Sequence, residues 1–367
     1  MKVRLLPLAV AAAIAAPGVA LADGPTVYGR LNVSYEMTDV DNGVDSADRW
    51  ELNSNSSRLG VKGDAAINDR LKAIYQAEFG INVDDGATTV RDSEGESSDH
   101  VLSQRDIFVG LTGGWGTVLG GKFDTPLKKA QGKVDQFNDL SGDIQYIFVG
   151  ENRTSNNLQY STPAMGGFQF NLAAMPGEEF DNGVGSPADP VEEKDGPADA
   201  FSTSVTFTQD MIYAALAYDS EVASTLYGGI TPGYGYDSDG EYFDTIRAVG
   251  VLTLDALQLG LMYQTAETSD ASELVADDDY EQDGFLLSAS FKIQQIVLKG
   301  QYGATTLTDN EVDVDLDAEQ VALGLDYLMS KQTTAFVYYN MLSYEVDVDD
   351  EEEQTKDNFG VGLVHNF

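Results

Sequence analysis

Apolar and polar residues alternate along most of this chain with a period of two residues. In residues 26–38, for example, Val33 and Tyr35 share one face with other apolar residues, whereas Arg30, Asn32 and Ser34 lie on the other face. Such alternation is typical of a β-strand with one apolar and one polar side. About sixteen segments of this kind follow one another, joined alternately by tight turns and long polar loops, which predicts an all-β chain.

The lengths of these segments and of their connections favour a membrane barrel. Each segment has roughly ten residues, the length that a tilted strand needs to cross a bilayer. In an up-and-down sheet, alternating short and long connections place all turns at one rim and all loops at the other. The chain also has too few apolar residues to fill the interior of such a sheet. We therefore predict a closed transmembrane antiparallel β-barrel whose polar faces enclose water and whose apolar faces contact lipid.

The first 22 residues have the features of a secretory signal peptide. Lys2 and Arg4 precede an apolar core at residues 5–19, and Ala20 and Ala22 form a small-residue cleavage site. The core is too short to span a bilayer as a helix, and no other run of about 18 apolar residues follows. We expect an exported protein in which residues 23–367 form one barrel domain.

Charge and composition exclude several classes of function. The formal net charge is −40, so the chain lacks the cationic surface that nucleic acids require. Hydrophobic residues make up 42%, which excludes disorder. There are no cysteines, and the two histidines, His100 and His365, are far apart in sequence. No catalytic group, metal site or cofactor is therefore predicted.

Two strongly acidic segments, 277–279 and 349–353, stand in predicted loops. Runs of like charge are usually solvated surface segments. Two more specific functions of these acidic segments stay open at this point. The segments could form a negative vestibule that enriches cations, or they could bind divalent cations weakly beside lipopolysaccharide.

One stretch breaks the alternation for roughly two dozen residues, too many for an ordinary connection. It begins near Lys122, and Pro126, Gly132 and Gly142 interrupt any helical pattern within it. A long irregular insert between alternating strands is either a surface loop or a segment folded into the enclosed space. We predict the second, a constriction loop at about residues 124–150 that narrows the barrel.

Charged residues on the predicted polar faces and in the constriction loop are the candidate functional residues. Lumen placement is expected for the basic ones, because a basic side chain costs about 2–4 kcal/mol on the lipid face at mid-depth. Neighbours such as Leu59, Phe123 and Leu158 are then expected to face lipid. The predicted basic wall comprises Arg30, Arg58, Lys62, Lys72, Arg105, Lys122 and Arg153. The charged residues of the loop are Asp124, Lys128, Lys129, Lys133, Asp135, Asp139 and Asp143.

Opposed charges across a narrowing order water and sort solutes by sign. Asp135, Asp139 and Asp143 are the predicted acidic counterpart of the basic wall, with Asp124 as a further candidate. The three lysines of the loop leave its net sign open, so the sequence does not predict which ions the channel prefers.

Several stretches resemble the family of Gram-negative general diffusion porins. They are VYGRLNVSYE at 27–36, SSRLGVKGD at 56–64, LKAIYQAEFG at 71–80, FVGLTGGWGTVLGGKFDTPL at 108–127, NNLQYSTPAMGGF at 156–168 and GVGLVHNF at 360–367. The resemblance implies a trimer of sixteen-stranded barrels in the outer membrane, each with its third long loop folded inward. Val364 and Lys122 depart from it, since relatives often carry Arg at these positions.

The resemblance also assigns a role to the end of the chain. Phe359, Val361, Leu363 and Phe367 match the family's signal for the outer-membrane assembly machinery. Outer-membrane lipid and lipopolysaccharide are the other expected partners.

The predicted function is a water-filled channel for passive diffusion of ions and small hydrophilic solutes, weakly selective for charge and without enzymatic activity. One alternative is a porin selective for a particular anion, sugar or amino acid. Another is an exported soluble β-protein that binds calcium or carbohydrate through its acidic loops. Solute-specific block of current would indicate the first, and extraction in plain buffer the second.

Overall fold

The computed structural model describes most of the chain after the predicted signal peptide. The described residues are 24–43, 45–84, 102–176, 196–224, 242–269, 279–311, 314–346 and 353–367, together with the backbone of 88–91 and 97–100. The predicted signal peptide at 1–22 and most of the acidic segments at 277–279 and 349–353 lie outside these residues.

Seventeen strands form one antiparallel sheet, and β5 and β6 form a separate two-stranded ribbon. The strands are β1 (Thr26–Asp41), β2 (Ser46–Ser54), β3 (Arg58–Asn68), β4 (Leu71–Ile81), β5 (Thr88–Arg91), β6 (Ser97–His100), β7 (Leu102–Gly113), β8 (Gly116–Asp124), β9 (Arg153–Ser161), β10 (Phe168–Met175), β11 (Ala200–Gln209), β12 (Ile212–Ala223), β13 (Tyr242–Leu254), β14 (Leu257–Thr268), β15 (Tyr280–Ile293), β16 (Ile296–Asp309), β17 (Val314–Leu328), β18 (Thr333–Val346) and β19 (Gln354–Asn366).

The sheet closes into a barrel with sixteen strand positions around its circumference, as predicted. We call each position a stave. β2 and β3 are two halves of one stave, because both pair with β1 and only residues 55–57 separate them. Ser56 at this interruption has a φ of 50°, a left-handed conformation that lets the stave bend. Every other strand of the sheet pairs with the strands before and after it in the chain once the β5–β6 ribbon is left out, so that β4 pairs with β7. β19 pairs with β1 to close the ring.

The two faces of the barrel divide as the sequence alternation predicts. Val109, Leu216 and Leu323 point outward and are 64%, 59% and 59% exposed, whereas the inward Gln320 and Asn340 are fully buried. An array of exposed apolar side chains around a closed sheet suits contact with acyl chains. Within the described residues, the helices are too short or too polar to cross a bilayer.

Several strands are longer than the roughly ten residues expected of a minimal span. β1 has 16 residues and β17 has 15. The sequence pattern also predicts a long polar loop at 307–317, and this is wrong, because β16 runs to Asp309 and β17 begins at Val314. Pairing in this region continues beyond the length that a bilayer requires, since alternate residues there still pack against the interior.

The constriction loop leaves β8 after Asp124 and enters the barrel through two short helical turns. The first, α1, spans Pro126–Ala130 and is capped by Thr125, whose hydroxyl accepts a hydrogen bond from the Lys128 N–H (3.1 Å). The second is a 3₁₀ turn at Ile144–Tyr146, capped by Asp143. Proline at the first helical position and a side-chain cap explain why so polar a stretch forms a helical turn.

The loop packs without water against one half of the inner wall. Its apolar side chains, such as Leu127, Ile147 and Phe148, are at most 1% exposed and contact inward residues of β12–β18, such as Met262 and Leu286. A second cluster joins Phe137 and Leu140 of the loop to β17 and β18. The expectation that all inward faces enclose water is therefore wrong for this half. The open lumen lies on the side of β1–β9.

Candidate functional site

A row of inward glutamines fixes the constriction loop to the wall of the barrel. We name these residues, one on each of β14–β17, the glutamine ladder. Each donates a side-chain N–H to a backbone carbonyl of the loop. The bonds run from Gln264 to Val149 (2.9 Å), Gln282 to Ile147 (3.3 Å), Gln301 to Gly142 (3.0 Å) and Gln320 to Asp143 (3.4 Å).

Two ladder residues also accept hydrogen bonds from the loop. The Gln282 side-chain oxygen accepts from the Val149 N–H (3.1 Å), and that of Gln301 accepts from the Gln136 N–H (2.8 Å). A buried irregular segment must satisfy its backbone groups with partners outside itself. The amide side chain offers both a donor and an acceptor, so the ladder meets this need.

A buried ion pair holds the end of the loop. Arg247 of β13 is fully buried, and its Nη1 lies 2.6 Å from Oε1 of Glu151. Its Nε donates to the side chain of Gln264 (2.7 Å), and its Nη2 donates to the Val149 carbonyl (3.2 Å). A buried guanidinium is tolerated only when its donors and its charge have partners. Our sequence reasoning missed Arg247, although its alternation with Ile246 already pointed it inward.

Asp139 is the acidic residue of the loop that faces the basic wall. Its Oδ2 lies 3.7 Å from Nη1 of Arg30 and 3.5 Å from Nη1 of Arg58. Asp139 has a φ of 68°, and its own N–H donates to the Asp143 carboxylate (2.8 Å). The left-handed backbone of Asp139, held by the Asp143 carboxylate, thus presents the Asp139 carboxylate to two guanidinium groups across the passage.

Asp135 and Asp143 are hydrogen-bonded within the loop, and Asp143 also lines the cavity beside the basic wall, so their role as the acidic counterpart stays a prediction. The Asp135 carboxylate accepts from the N–H groups of Phe137 (2.8 Å) and Ile144 (3.4 Å), and Asp143 accepts from that of Gln145 (2.9 Å). Burial raises the pKa of Asp135 to about 6 and the pKa of Asp143 well above its usual range, because desolvation disfavours the charged form. Both carboxylates shape the loop itself.

Two of the four arginines of the basic wall are paired with carboxylates on that same wall. Arg105 Nε lies 2.9 Å from Oε1 of Glu78. Arg153 binds two carboxylates, that of Asp106 (2.7 Å) and that of Asp124 (2.8 Å). Sequence reasoning missed Glu78 and Asp106, although Glu78 stands on the polar face of an alternating strand. These pairs cancel much of the positive field that the sequence predicted.

Lys62 and Lys72 stand away from the narrowing. Lys62 Nζ lies 4.6 Å from the ring centroid of Tyr28, and Lys72 Nζ lies 2.8 Å from Asp64. The Lys72–Asp64 pair is exposed, so water weakens its interaction. Neither lysine lines the cavity that lies between the basic wall and the loop.

Phe123 was expected to face lipid, and this is wrong. Its side chain is fully buried, edge-on to Phe108 at 6.0 Å and beneath the ammonium of Lys129 at 4.9 Å. Lys122 pairs with Ile107, which belongs to the outward row of its strand. Lys122 therefore lies on the face opposite Phe123, contrary to its predicted place in the basic wall. The irregularity at Gly121, with a φ of 149°, shifts the register here.

The lysines of the loop differ in their surroundings. Lys128 Nζ lies 3.8 Å from Asp124 and 3.9 Å from Glu151, and it also donates to the Glu151 carbonyl (3.1 Å). Lys129 and Lys133 are exposed. Lys128 thus belongs to the charge network at the root of the loop.

A cavity of about 340 Å³ lies between the basic wall and the loop. Charged side chains of both signs line it, among them Arg58, Glu78, Arg105, Asp139 and Arg153. A passage of this kind can accept water and small polar solutes. We refer to it as the charged passage.

The C-terminal residues of the predicted assembly signal lie on the outer face. Phe359, Val361 and Leu363 alternate along β19 and are 42%, 43% and 46% exposed. Phe367 and Gly29 exchange two backbone hydrogen bonds of 3.0 Å each. The signalling role stays a prediction.

Comparison with known proteins places this geometry among outer-membrane channels. A family model described as Gram-negative porin matches residues 9–347. An outer membrane porin protein of Bordetella pertussis is 26% identical over 409 aligned positions, with 100% of each chain covered.

Two solved structures share the fold at low sequence identity. The anion-selective porin of Comamonas acidovorans has a TM-score of 0.69 and 20% identity, covering 94% of this chain and 99% of the other. The trimer form of OmpT of Vibrio cholerae has a TM-score of 0.63 and 16% identity, covering 94% and 100%.

Proposed function

Because the chain belongs to the Gram-negative porin family, we propose that its charged passage is a weakly cation-preferring filter. The chain is an outer-membrane porin, a water-filled β-barrel through which small hydrophilic solutes diffuse. Family and fold are those of channel proteins. The observation that carries the proposal is the pairing of the arginines Arg105 and Arg153 with carboxylates of their own wall.

The balance of charge around the narrowing supports a cation preference. Arg153 faces two carboxylates, and Lys128 lies near two others, so neither leaves a free positive charge. The chain as a whole carries 61 acidic and 21 basic residues. A surface of one predominant sign raises the local concentration of ions of the opposite sign.

The reversal potential in a KCl gradient across a planar bilayer tests the proposal. We expect a sign that corresponds to K⁺ passing more readily than Cl⁻, and a smaller preference at high salt because the charges are screened. A preference for Cl⁻ would overturn it.

Anion preference is the second candidate, and one observation favours it. Arg30 and Arg58 share the single carboxylate of Asp139, which leaves a net positive charge at that point. The structural relative from Comamonas acidovorans is described as anion-selective. The same measurement decides between the two signs.

We also propose that the protein is a homotrimer that contacts lipopolysaccharide and is inserted by the outer-membrane assembly machinery. The structural relative from Vibrio cholerae is described in a trimer form. Three equal conductance steps per insertion would support three pores, and single steps would contradict the trimer. The alternative of a soluble β-protein does not fit the porin family or the exposed apolar face of the barrel.

A further inference from the structure

Glu36 is a buried carboxylate in the lumen that has no cationic partner in the described part of the chain. It lies on the inward face of β1 and is 2% exposed. Its oxygens accept hydrogen bonds from Asn53 Nδ2 (2.9 Å), Ser141 Oγ (3.3 Å) and the nearby Ser34 hydroxyl. Among the described residues, no lysine or arginine nitrogen lies within ion-pair distance of it. A buried charge that is not paired is costly, so this position calls for a cation.

Glu36 borders a second cavity, of about 320 Å³, between β1, β2, β19 and the constriction loop. Asp139 lies between this cavity and the charged passage and borders both. The volume is in the range of small-molecule sites. We refer to it as the Glu36 cavity.

The wall of the Glu36 cavity also offers an unused hydrogen-bond acceptor. Asn358 of β19 is 2% exposed and borders the cavity. Its Nδ2 donates to the Thr38 hydroxyl (2.9 Å), whereas its Oδ1 has no partner within the described residues. A buried acceptor without a donor is costly as well. The carboxylate and the amide oxygen thus call for a ligand that brings both positive charge and N–H donors.

The cations that border the Glu36 cavity are engaged elsewhere. Arg49 Nε lies 3.1 Å from the Glu51 carboxylate. Lys356 Nζ lies over the ring of Tyr146, 5.6 Å from its centroid. Neither satisfies Glu36 directly, although Lys356 contributes a positive charge to the same space.

We propose that the Glu36 cavity binds a small organic cation through a primary ammonium group, beside the path of the diffusing solutes. The inference rests on the proposed channel function and names a solute class for it. A primary ammonium has three N–H donors, enough for the Glu36 carboxylate and the Asn358 oxygen together. The Tyr146 ring supplies an aromatic face at the same cavity, which also favours a cation.

Two isomeric cations test the proposal in planar bilayers. n-Butylammonium and tetramethylammonium have the same formula and charge, but only the first has N–H donors. We expect n-butylammonium to reduce the single-channel K⁺ current in a saturable manner and tetramethylammonium to do so far more weakly. Glu36→Gln should raise the half-blocking concentration of n-butylammonium by about tenfold or more, since a hydrogen bond to a charged group is lost.

Two further variants control the experiment. Lys356→Gln removes the competing positive charge and should lower the half-blocking concentration, a result that does not depend on the folding of the Glu36 variant. Glu345→Gln makes the same chemical change at an exposed position of β18 and should leave the block unchanged.

The outcomes separate this inference from the channel function. A conducting wild type that is blocked equally by the two isomers, or a Glu36→Gln protein with unchanged block, overturns the inference and leaves the channel standing. A folded wild type without any conductance would overturn the channel itself, and the inference with it.

Discussion

The two halves of the inner wall have the same strand geometry but differ in whether the constriction loop covers them. On the side of β1–β9, ion pairs between inward residues, such as Arg105–Glu78, border the open lumen. On the side of β12–β18, inward residues such as Met262 and Leu286 pack against the constriction loop without water. The half at β1–β9, which we call the wet half, forms the passage. The half at β12–β18, which we call the dry half, holds the loop that narrows it.

The difference explains how a wide barrel keeps a defined narrowing. An irregular loop alone would adopt many conformations, because ordering each residue costs about 1–2 kcal/mol. The dry half offsets this cost with apolar burial, the glutamine ladder and the Arg247–Glu151 pair. The wet half contacts the loop through ion pairs and polar contacts, such as those of Arg30 and Arg58 with Asp139, and its charged residues line the passage that solutes use. We expect substitutions in the two halves to have separable effects.

The largest expected effect comes from the buried ion pair of the dry half. Arg247→Met breaks a buried ion pair and leaves the Glu151 carboxylate with only the more distant Lys128 ammonium, 3.9 Å away. Breaking a buried pair typically costs about 3–5 kcal/mol. We expect a lower unfolding temperature in detergent and a larger, noisier single-channel current. Lys72→Met, which breaks the exposed pair with Asp64, is the control and should cost at most about 1 kcal/mol. Equal effects of the two changes would refute the division between the halves.

Removal of one step of the glutamine ladder should have the next largest effect. Gln282→Leu deprives the Val149 N–H and the Ile147 carbonyl of their partners. Each unsatisfied buried group costs about 1–3 kcal/mol. We expect rapid fluctuations of the open-channel current as the loop moves. Gln159→Leu, at a buried position of β9 on the wet half, should give a quiet channel.

A change at the tip of the loop should alter selectivity and leave stability nearly unchanged. Asp139→Asn removes the carboxylate that Arg30 and Arg58 share. We expect the ratio of K⁺ to Cl⁻ permeability to fall by about fivefold, since a unit charge about 4 Å away contributes about 1 kcal/mol in bulk water. The reversal potential measures it. An unchanged ratio would show that this contact does not control ion flow.

The last expected effect, which needs no substitution, is a pH dependence of loop stability. The pKa of Asp135 is about 6 in the folded protein, above its usual value near 3.8, because burial disfavours the charged form. The folded state therefore binds more protons between these values, and stability falls as the pH rises from about 4 to about 6. Unfolding temperatures of the wild type should show this slope. Asp135→Asn should reduce it and leave the part that comes from Asp143, whose pKa burial also raises. A slope that survives unchanged would contradict the assignment.

The sequence predicted the barrel well because alternation is local. On β1, the polar residues Asn32, Ser34 and Glu36 are buried inside, and the alternating Val33 and Tyr35 face out, as expected from the period of two. The number of staves followed from the same pattern.

The prediction failed where contacts are distant or the backbone is irregular. Phe123 follows a glycine with positive φ at a register shift, so counting by twos assigned the wrong face. Asp135 and Asp143 cap turns of their own loop, a use of aspartate that charge counting overlooks. The dry half needs apolar residues of the loop to meet apolar residues more than a hundred positions away, such as Met262. No short-range pattern carries that information.

The seam between β1 and β19 has a consequence for the order of events in folding. It joins the strands most distant in sequence, with Asn358 bonded to Thr38 across 320 positions. Contacts of such long range form slowly. Until this seam closes, the sheet has two unpaired edges, which readily pair with other chains and aggregate. A chain on its way to the membrane must therefore be kept apart from its own copies until the ring is complete.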